Sequence, residues 1–383
     1  MMEIKGWRRE NGDVGIRNYI AVLSSVACAN HAVQEICRKT KAIPIVHNQG
    51  TCGEFGEDRE QTIRTLIGVG SHPNIAWTLV IGLGCEQFDA YKLADEIKRR
   101  GRECDSLLIQ EHGEAKVVEK GIKMIKKVKK SLVQRKEKFS IDELIIGVKC
   151  GASDYSSALI SNPAVGKAVD FLIESGGTVI FGERLEVIGA EHIIARRTKN
   201  KAVREDFLRR IKRAIEEASK AGVDWVGSQP SLGNIEGGIT TIEEKSLGAI
   251  KKAGSFGLSG CLDYGEKPKG KGLFFMDTPG YDVQCVSGLV AGGCHEILFT
   301  TGRGTYLGSP VSPVIKICGN PLTCNKLRDA IDVDLSFILE SGNLEEGGKK
   351  IIEKIISVAN GELTRAEKTK HYEFSIERIG ITA

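Results

Sequence analysis

The sequence has 383 residues, 41% hydrophobic and 27% charged, the balance of a soluble globular chain of two or three domains. A net charge of +4 is far too small to argue for a nucleic-acid partner and is compatible with an anionic small substrate. Eleven cysteines with no Cys-x-x-Cys pair point to a reducing cytoplasm rather than a disulfide framework, and Tyr19–Ala29 is too short and polar to span a membrane.

Asn18–Val26 reads as a buried strand that runs into Cys28-Ala29-Asn30-His31, followed by a helix with Val33, Ile36 and Cys37 on one face. Ala42–Val46 is a second strand, followed by His47 and the Gly50-Thr51-Cys52-Gly53-Glu54 turn, then a helix over Asp58–Val69. Ile75–Leu83 is a third strand ending in Gly84-Cys85-Glu86, and Ser106–Gln110 a fourth after a helix that ends near Arg99. Residues 116–138 carry ten Lys or Arg, with Val118, Ile122, Ile125 and Leu132 on one helical face. This is a solvated amphipathic helix, and its polar end at 134–138 is the expected domain boundary.

A second alternating run follows. Strands are expected at Leu144–Val148, Thr178–Phe181, Gly272–Met276, Glu296–Phe299 and Val314–Cys318, and helices at Pro163–Glu174, Ala190–Arg197, Val203–Ala221, Ile242–Lys252 and Ile351–Ala359. Tyr281–Gly293 reads as the crossover helix of a strand–helix–strand unit, and the tail as polar with a strand-like end. The expected fold is α/β: two Rossmann-like domains with mainly parallel sheets, residues 1–138 and 139–383.

Two glycine-rich stretches fail as nucleotide sites. Gly82-Leu83-Gly84-Cys85-Glu86-Gln87 lacks the last glycine of a dinucleotide fingerprint. Gly265–Gly272 lacks the Ser or Thr of a P-loop and precedes a strand rather than a helix.

What remains is a set of polar strand ends, where ligands bind in open α/β sheets. Asp277, Thr300, Thr301 and Arg303 stand at two of them, Lys149, Cys150 and Glu183 at two more, with Asn234, Thr240 and Thr241 on a polar loop. Amides, hydroxyls and carboxylates beside glycines suit a polyhydroxylated anion. Cys28, Cys52, Cys85, Glu86, Cys150 and Glu183 are candidate ligands for a soft or borderline divalent metal, with packed side chains as the alternative.

Arg9-Glu10-Asn11-Gly12 with Gly15-Ile16-Arg17-Asn18, the segment Gly237–Gly248, and Met276-Asp277-Thr278-Pro279-Gly280 with Phe299-Thr300-Thr301-Gly302-Arg303-Gly304 together resemble the large catalytic region of the altronate/galactarate dehydratase family. That family also includes the large subunit of sulfolactate sulfo-lyase, and the likeness runs from about Gly6 to Asp334. The resemblance implies loss of water from a sugar acid to give a 2-keto-3-deoxy acid, with Fe(2+), or Mn(2+) in its place. It also implies a small β-clip (SAF-like) subunit, since full-length members carry such a domain and this chain starts at the large region. A homo-oligomer is the expected assembly. Arg303 is the expected carboxylate clamp, with Arg17 and Asn18 in a similar part. His31, His47, Lys149 and Lys245 are candidate bases, and Asp277 and Glu183 could ligate metal or orient the base. The alternatives are the sulfo-lyase reaction, which expels sulfite, and a non-catalytic binding subunit.

Overall fold

The computed structural model describes residues 3–132, 135–225 and 229–380. The chain enters through β1 (Ile4–Arg8) and β2 (Val14–Gly15), which pair antiparallel. It then builds a parallel four-stranded sheet from β3 (Tyr19–Ser24), β4 (Ile43–Ile45), β5 (Ile75–Gly82) and β6 (Glu103–Leu108), in the order β4-β3-β5-β6. Glu137–Phe139, at the polar stretch, form β7, which returns to pair antiparallel with β1; Gln134 lies outside the described residues.

The second sheet has seven parallel strands. They are β8 (Ile145–Gly151), β9 (Thr178–Phe181), β10 (Leu258–Leu262), β11 (Gly272–Met276), β12 (Glu296–Thr301), β13 (Val314–Cys318) and β14 (Val333–Asp334). Their order is β10-β11-β9-β8-β12-β13-β14. The fold class is therefore α/β with two Rossmann-like parallel sheets. β11 and β12 are not neighbours, however: the helix Asp282–Ala291 carries the chain across β9 and β8.

Continuous apolar runs make these strands because both faces of each sheet are covered. Along β3, Ile20 and Val22 enter one core and Ala21 and Leu23 another, as the two-residue period requires. The core that takes Ala21 and Leu23 also takes Phe274, Met276, Leu289 and Phe299, so the two sheets share it. Helices Gly56–Gly70 and Asp282–Ala291 meet within it so closely that a Cβ on Gly68 would fall 2.3 Å from the Ala291 carbonyl oxygen.

Three expectations need correction. The basic helix spans Glu114–Ser131; Ile125 is buried as expected, but Val118 and Ile122 are only half-buried and Val117 and Gly121 complete the buried face. A glycine stands at the centre of that face because a Cβ there would lie 2.7 Å from Ile36 Cδ1. Residues 242–252 form a helix only to Ala249 and then tighten into a 3-10 turn. The tail adds no strand among its described residues; it buries Phe374 and Ile376 and bonds back to the first sheet's loops through Gln49 Nε2 to Ile376 O (3.0 Å). No described helix is long and apolar enough to cross a membrane.

Candidate active site

At the C-terminal end of β8 the chain buries a chain of charges. Lys149 Nζ lies 3.2 Å from Glu183 Oε1 and also donates to Asp282. Lys252 Nζ lies 3.1 Å from Glu183 Oε2 and donates to Cys150 Sγ at 3.2 Å. Lys245 Nζ lies 3.1 Å from Glu186 Oε1. Burial works against the charge on Lys149 and Lys252, but the carboxylates of Glu183 and Asp282 around Lys149, and the Cys150 hydrogen bond with the Glu183 and Glu186 carboxylates around Lys252, outweigh it and hold both ammonium groups above their ordinary range. Lys149 is therefore a fixed cation and not a lysine poised to accept a proton. Burial brings a different lysine, Lys316 on β13, down to about 8.

The backbone is distorted where this cluster forms. Among the described residues, four non-glycine residues have positive φ: Lys41, Ala152, Glu183 and Lys370. Lys41 and Lys370 are helix C-caps, where the left-handed conformation is usual. Glu183 (φ 71°) and Ala152 (φ 48°) instead flank the buried charges. Such a residue costs on the order of 1–3 kcal/mol and persists only where its surroundings hold it. Glu183 is held by its N–H on Thr278 Oγ1 (2.8 Å) and by the Cys150 N–H on its Oε2 (3.0 Å). The glycine at the end of β8 is there for close approach: a Cβ on Gly151 would lie 2.6 Å from Asp282 Oδ1. Asp282 keeps a third of its side chain exposed, so it is where the cluster meets solvent.

Just past this point is a second polar group. Asp154 is buried and accepts from Ser156 Oγ (2.6 Å) and Asn320 Nδ2 (2.7 Å). Asn234 Nδ2 donates to the Ser153 carbonyl (2.9 Å), and Arg303 Nη1 to the Gly233 carbonyl (2.7 Å) and Glu236 (3.0 Å). Arg303 is half-exposed, and its Nε and Nη2 make no hydrogen bond or ion pair among the described residues. Asn234 and Arg303 are thus brought together. Asp277 is not brought into contact with them. It pairs with Arg184 Nε (3.1 Å) and Arg213 Nη2 (2.9 Å) in a cavity of about 180 Å³ also lined by Arg64, Asp263 and Glu377.

Several sequence candidates hold the fold instead. Arg17 spends its guanidinium on Glu367 (2.8 and 3.0 Å) and on the Val358 and Glu362 carbonyls, and Asn18 accepts from Arg9 Nη1. Thr241 caps the helix Ile242–Ala249, and Thr240 binds Glu244 on that helix's first turn. Thr300 Oγ1 donates to Asn162 Oδ1 (2.6 Å), and Thr301 accepts the Gly304 N–H. His31 is exposed beside Glu114. His47 is buried, with Nδ1 accepting the Gln49 N–H, so Nε2 donates to the Ser24 carbonyl (2.8 Å); burial takes the ring down to about 4. Neither ring nitrogen is free to take a proton. Lys252, Glu186 and Asp282 escaped the sequence reading because charged residues on helices and turns read as solvent-facing.

Cys150, Glu183 and Glu186 place three ligand atoms within 4.8 Å of one another, a spacing a divalent ion can use. Their electrostatics fit one poorly: Lys149, Lys252 and Lys245 already neutralise both carboxylates, and burial holds the Cys150 thiol protonated by raising it. A cation would have to displace ammonium groups at close range.

The family profile described as D-galactarate/altronate dehydratase, C-terminal, matches residues 141–382, and that described as D-galactarate dehydratase/altronate hydrolase, second domain, matches residues 6–132. The (2R)-sulfolactate sulfo-lyase subunit beta of Chromohalobacter salexigens is 38% identical over 99% of both chains. The altronate dehydratases of Bacillus subtilis and Escherichia coli are 34% and 32% identical over 99% of this chain and 78% of theirs. Matched over nearly all its length by both profiles and by these relatives, the chain belongs to the D-galactarate/altronate dehydratase family.

Proposed function

We propose that the chain is a hydro-lyase of the altronate or galactarate type, eliminating across C2–C3 of a 2-hydroxy acid. The α-proton leaves C2, hydroxide leaves C3 and departs as water, and the enol that remains ketonises to a 2-keto-3-deoxy acid. The supporting observation is Lys149, fully buried yet held protonated at a strand end. The difficult species is the enediolate dianion, and a fixed, desolvated cation is what stabilises charge as it develops. Asp282, which touches both Lys149 and solvent, is assigned the α-proton. Arg303, with one edge of its fork open, is assigned the substrate carboxylate. A divalent metal of the iron or manganese kind would supply Lewis acidity.

A second reading has its own support. The sulfo-lyase subunit matches end to end, whereas the altronate dehydratases extend beyond the match. Sulfolactate is also a 2-hydroxy acid with its leaving group on C3, so the same residues would serve. The name "subunit beta" supports a working enzyme with a second chain, which we assign as a small β-clip protein.

Altronate, galactarate and sulfolactate, each incubated with the chain with and without a small partner, separate these readings. Appearance of 2-keto acid without sulfite supports the dehydratase. Stoichiometric sulfite and pyruvate from sulfolactate would replace it with the sulfo-lyase. Turnover of none would leave only the non-catalytic subunit.

A further inference from the structure

Of the eleven cysteines, three are exposed: Cys28, Cys52 and Cys85. Seven are buried and Cys261 is partly covered. The exposed three share one place in the fold. Cys28 lies four residues beyond β3, Cys52 seven beyond β4 and Cys85 three beyond β5. These strands are parallel neighbours in the order β4-β3-β5, so all three thiols leave the same end of one sheet. Strands about 4.8 Å apart put three such ends within roughly 10 Å.

The three loops are fastened to one another in every pairing. The Ala27 N–H donates to the Gln49 carbonyl (2.9 Å), tying the Cys28 loop to the Cys52 loop. The Phe88 N–H donates to Thr51 Oγ1 (3.0 Å), tying the Cys85 loop to the Cys52 loop. Ser25 Oγ donates to Glu86 Oε1 (2.6 Å), tying the Cys28 loop to the Cys85 loop. Glu86 is itself buried and turns its other oxygen to the Gly84 N–H (2.7 Å). Glu86 therefore joins the Cys28 and Cys85 loops through a buried carboxylate.

Three free thiols on a rigid, shared rim need an explanation that a surface does not supply, since exposed reactive cysteines are a liability. They cannot all pair as disulfides. A single tetrahedral ion would want its sulfurs about 3.8 Å apart at metal–sulfur bonds of about 2.3 Å. Among the described residues, the group of His, Cys, Asp or Glu with all ligand atoms within 4.8 Å is Cys150, Glu183 and Glu186, so the thiols stand wider than that. Thiolate-only sets that are too wide for one ion suit a polynuclear iron–sulfur cluster.

We propose that Cys28, Cys52 and Cys85 hold one iron–sulfur cluster through three thiolates, leaving one iron of a four-iron cluster without a protein ligand. The open iron would give a Lewis-acid position for an oxygen of the substrate; that clause rests on the elimination reading, whereas the holding of the cluster does not. The thiol rim also has a physical link to the buried charges. Gln49 bonds the Ile376 carbonyl (3.0 Å), and the next residue, Glu377, binds Arg184 (2.6 Å), which follows Glu183 in sequence.

The test is reconstitution of the full chain under anaerobic conditions with ferrous iron, sulfide and thiol, followed by iron and acid-labile sulfide counts, visible absorption and EPR after reduction. The expected result is iron and sulfide in equal amounts, roughly four of each per chain, with absorption that bleaches on reduction. Cys28→Ala, Cys52→Ala and Cys85→Ala should each lose most of the sulfide with an unchanged melting curve, while Cys261→Ala keeps it. Iron without sulfide, or sulfide retained in all three variants, overturns the proposal. A loaded cluster in a chain that turns over no 2-hydroxy acid upholds it and refutes the elimination reading instead.

Discussion

Glu183 and Lys252 meet at 3.1 Å with both side chains closed to solvent. Burial alone would raise the Glu183 carboxyl, but Lys149 and Lys252 outweigh it and hold the group below the ordinary carboxylate range. Removing one partner leaves the other charge buried without full compensation. Lys252→Met is expected to cost roughly 3 kcal/mol. Adding Glu183→Gln to Lys252→Met should recover part of that loss. Urea midpoints at constant slope measure both, and additive losses in the double variant would show that the two groups do not interact.

Stability should fall through the weakly acidic range. Burial brings both His47 and His295 down to about 4, with their backbone carbonyl partners opposing it. An ordinary histidine titrates near 6.5, so between about pH 6.5 and 4 the unfolded chain binds protons that the folded chain refuses. The stabilisation is complete above that range and is lost as pH drops through it, by about 1.4 kcal/mol per pH unit for each ring. Glu183, held low, extends the loss below the ordinary carboxylate range. His295→Gln should make the slope shallower, and an identical slope would remove His295 from the account.

Arg303→Lys keeps the charge and loses the fork. A carboxylate clamp predicts a drop in kcat/KM of about 10–100-fold, the worth of a charged hydrogen bond. The melting temperature should be unchanged, because the side chain is half-exposed. Unaltered kinetics would reduce Arg303 to its ion pair with Glu236.

Gly151→Ala should push Asp282 off the end of β8, since the new methyl would sit 2.6 Å from Asp282 Oδ1. Overpacking of this kind costs about 1–3 kcal/mol. The informative reading is activity: kcat should fall as far in Gly151→Ala as in Asp282→Asn. A fully active Gly151→Ala would show that the Asp282 contact with Lys149 is dispensable.

Most strands were legible because each is a short apolar run covered on both faces, a signal contained within the strand itself. β9, β11 and β13 appear with the bounds their sequences announce. β10 was missed because Leu258-Ser259-Gly260-Cys261-Leu262, on the sheet edge, is only half apolar. On the Glu114–Ser131 helix Ile125 was legible as buried, but the Gly121 part of the buried face was not, because a glycine, silent in any periodicity, is what lets Ile36 and Leu79 approach.

The site divides along the same line. Sequence by itself determined that polar residues end these strands, that Lys149, Cys150 and Glu183 are among them, that Arg303 belongs to a family motif and that Asn234 stands on a polar loop. Each of those facts is local to a few residues. Only the tertiary structure decided that Lys252 and Asp282 complete the Lys149 cluster, that Arg17 is consumed by Glu367, and that Cys28, Cys52 and Cys85 come to one rim. Strand order and crossover choose which ends become neighbours, and burial chooses which charges must pair. Both are set by contacts between segments tens to hundreds of residues apart, which no spacing along the chain encodes.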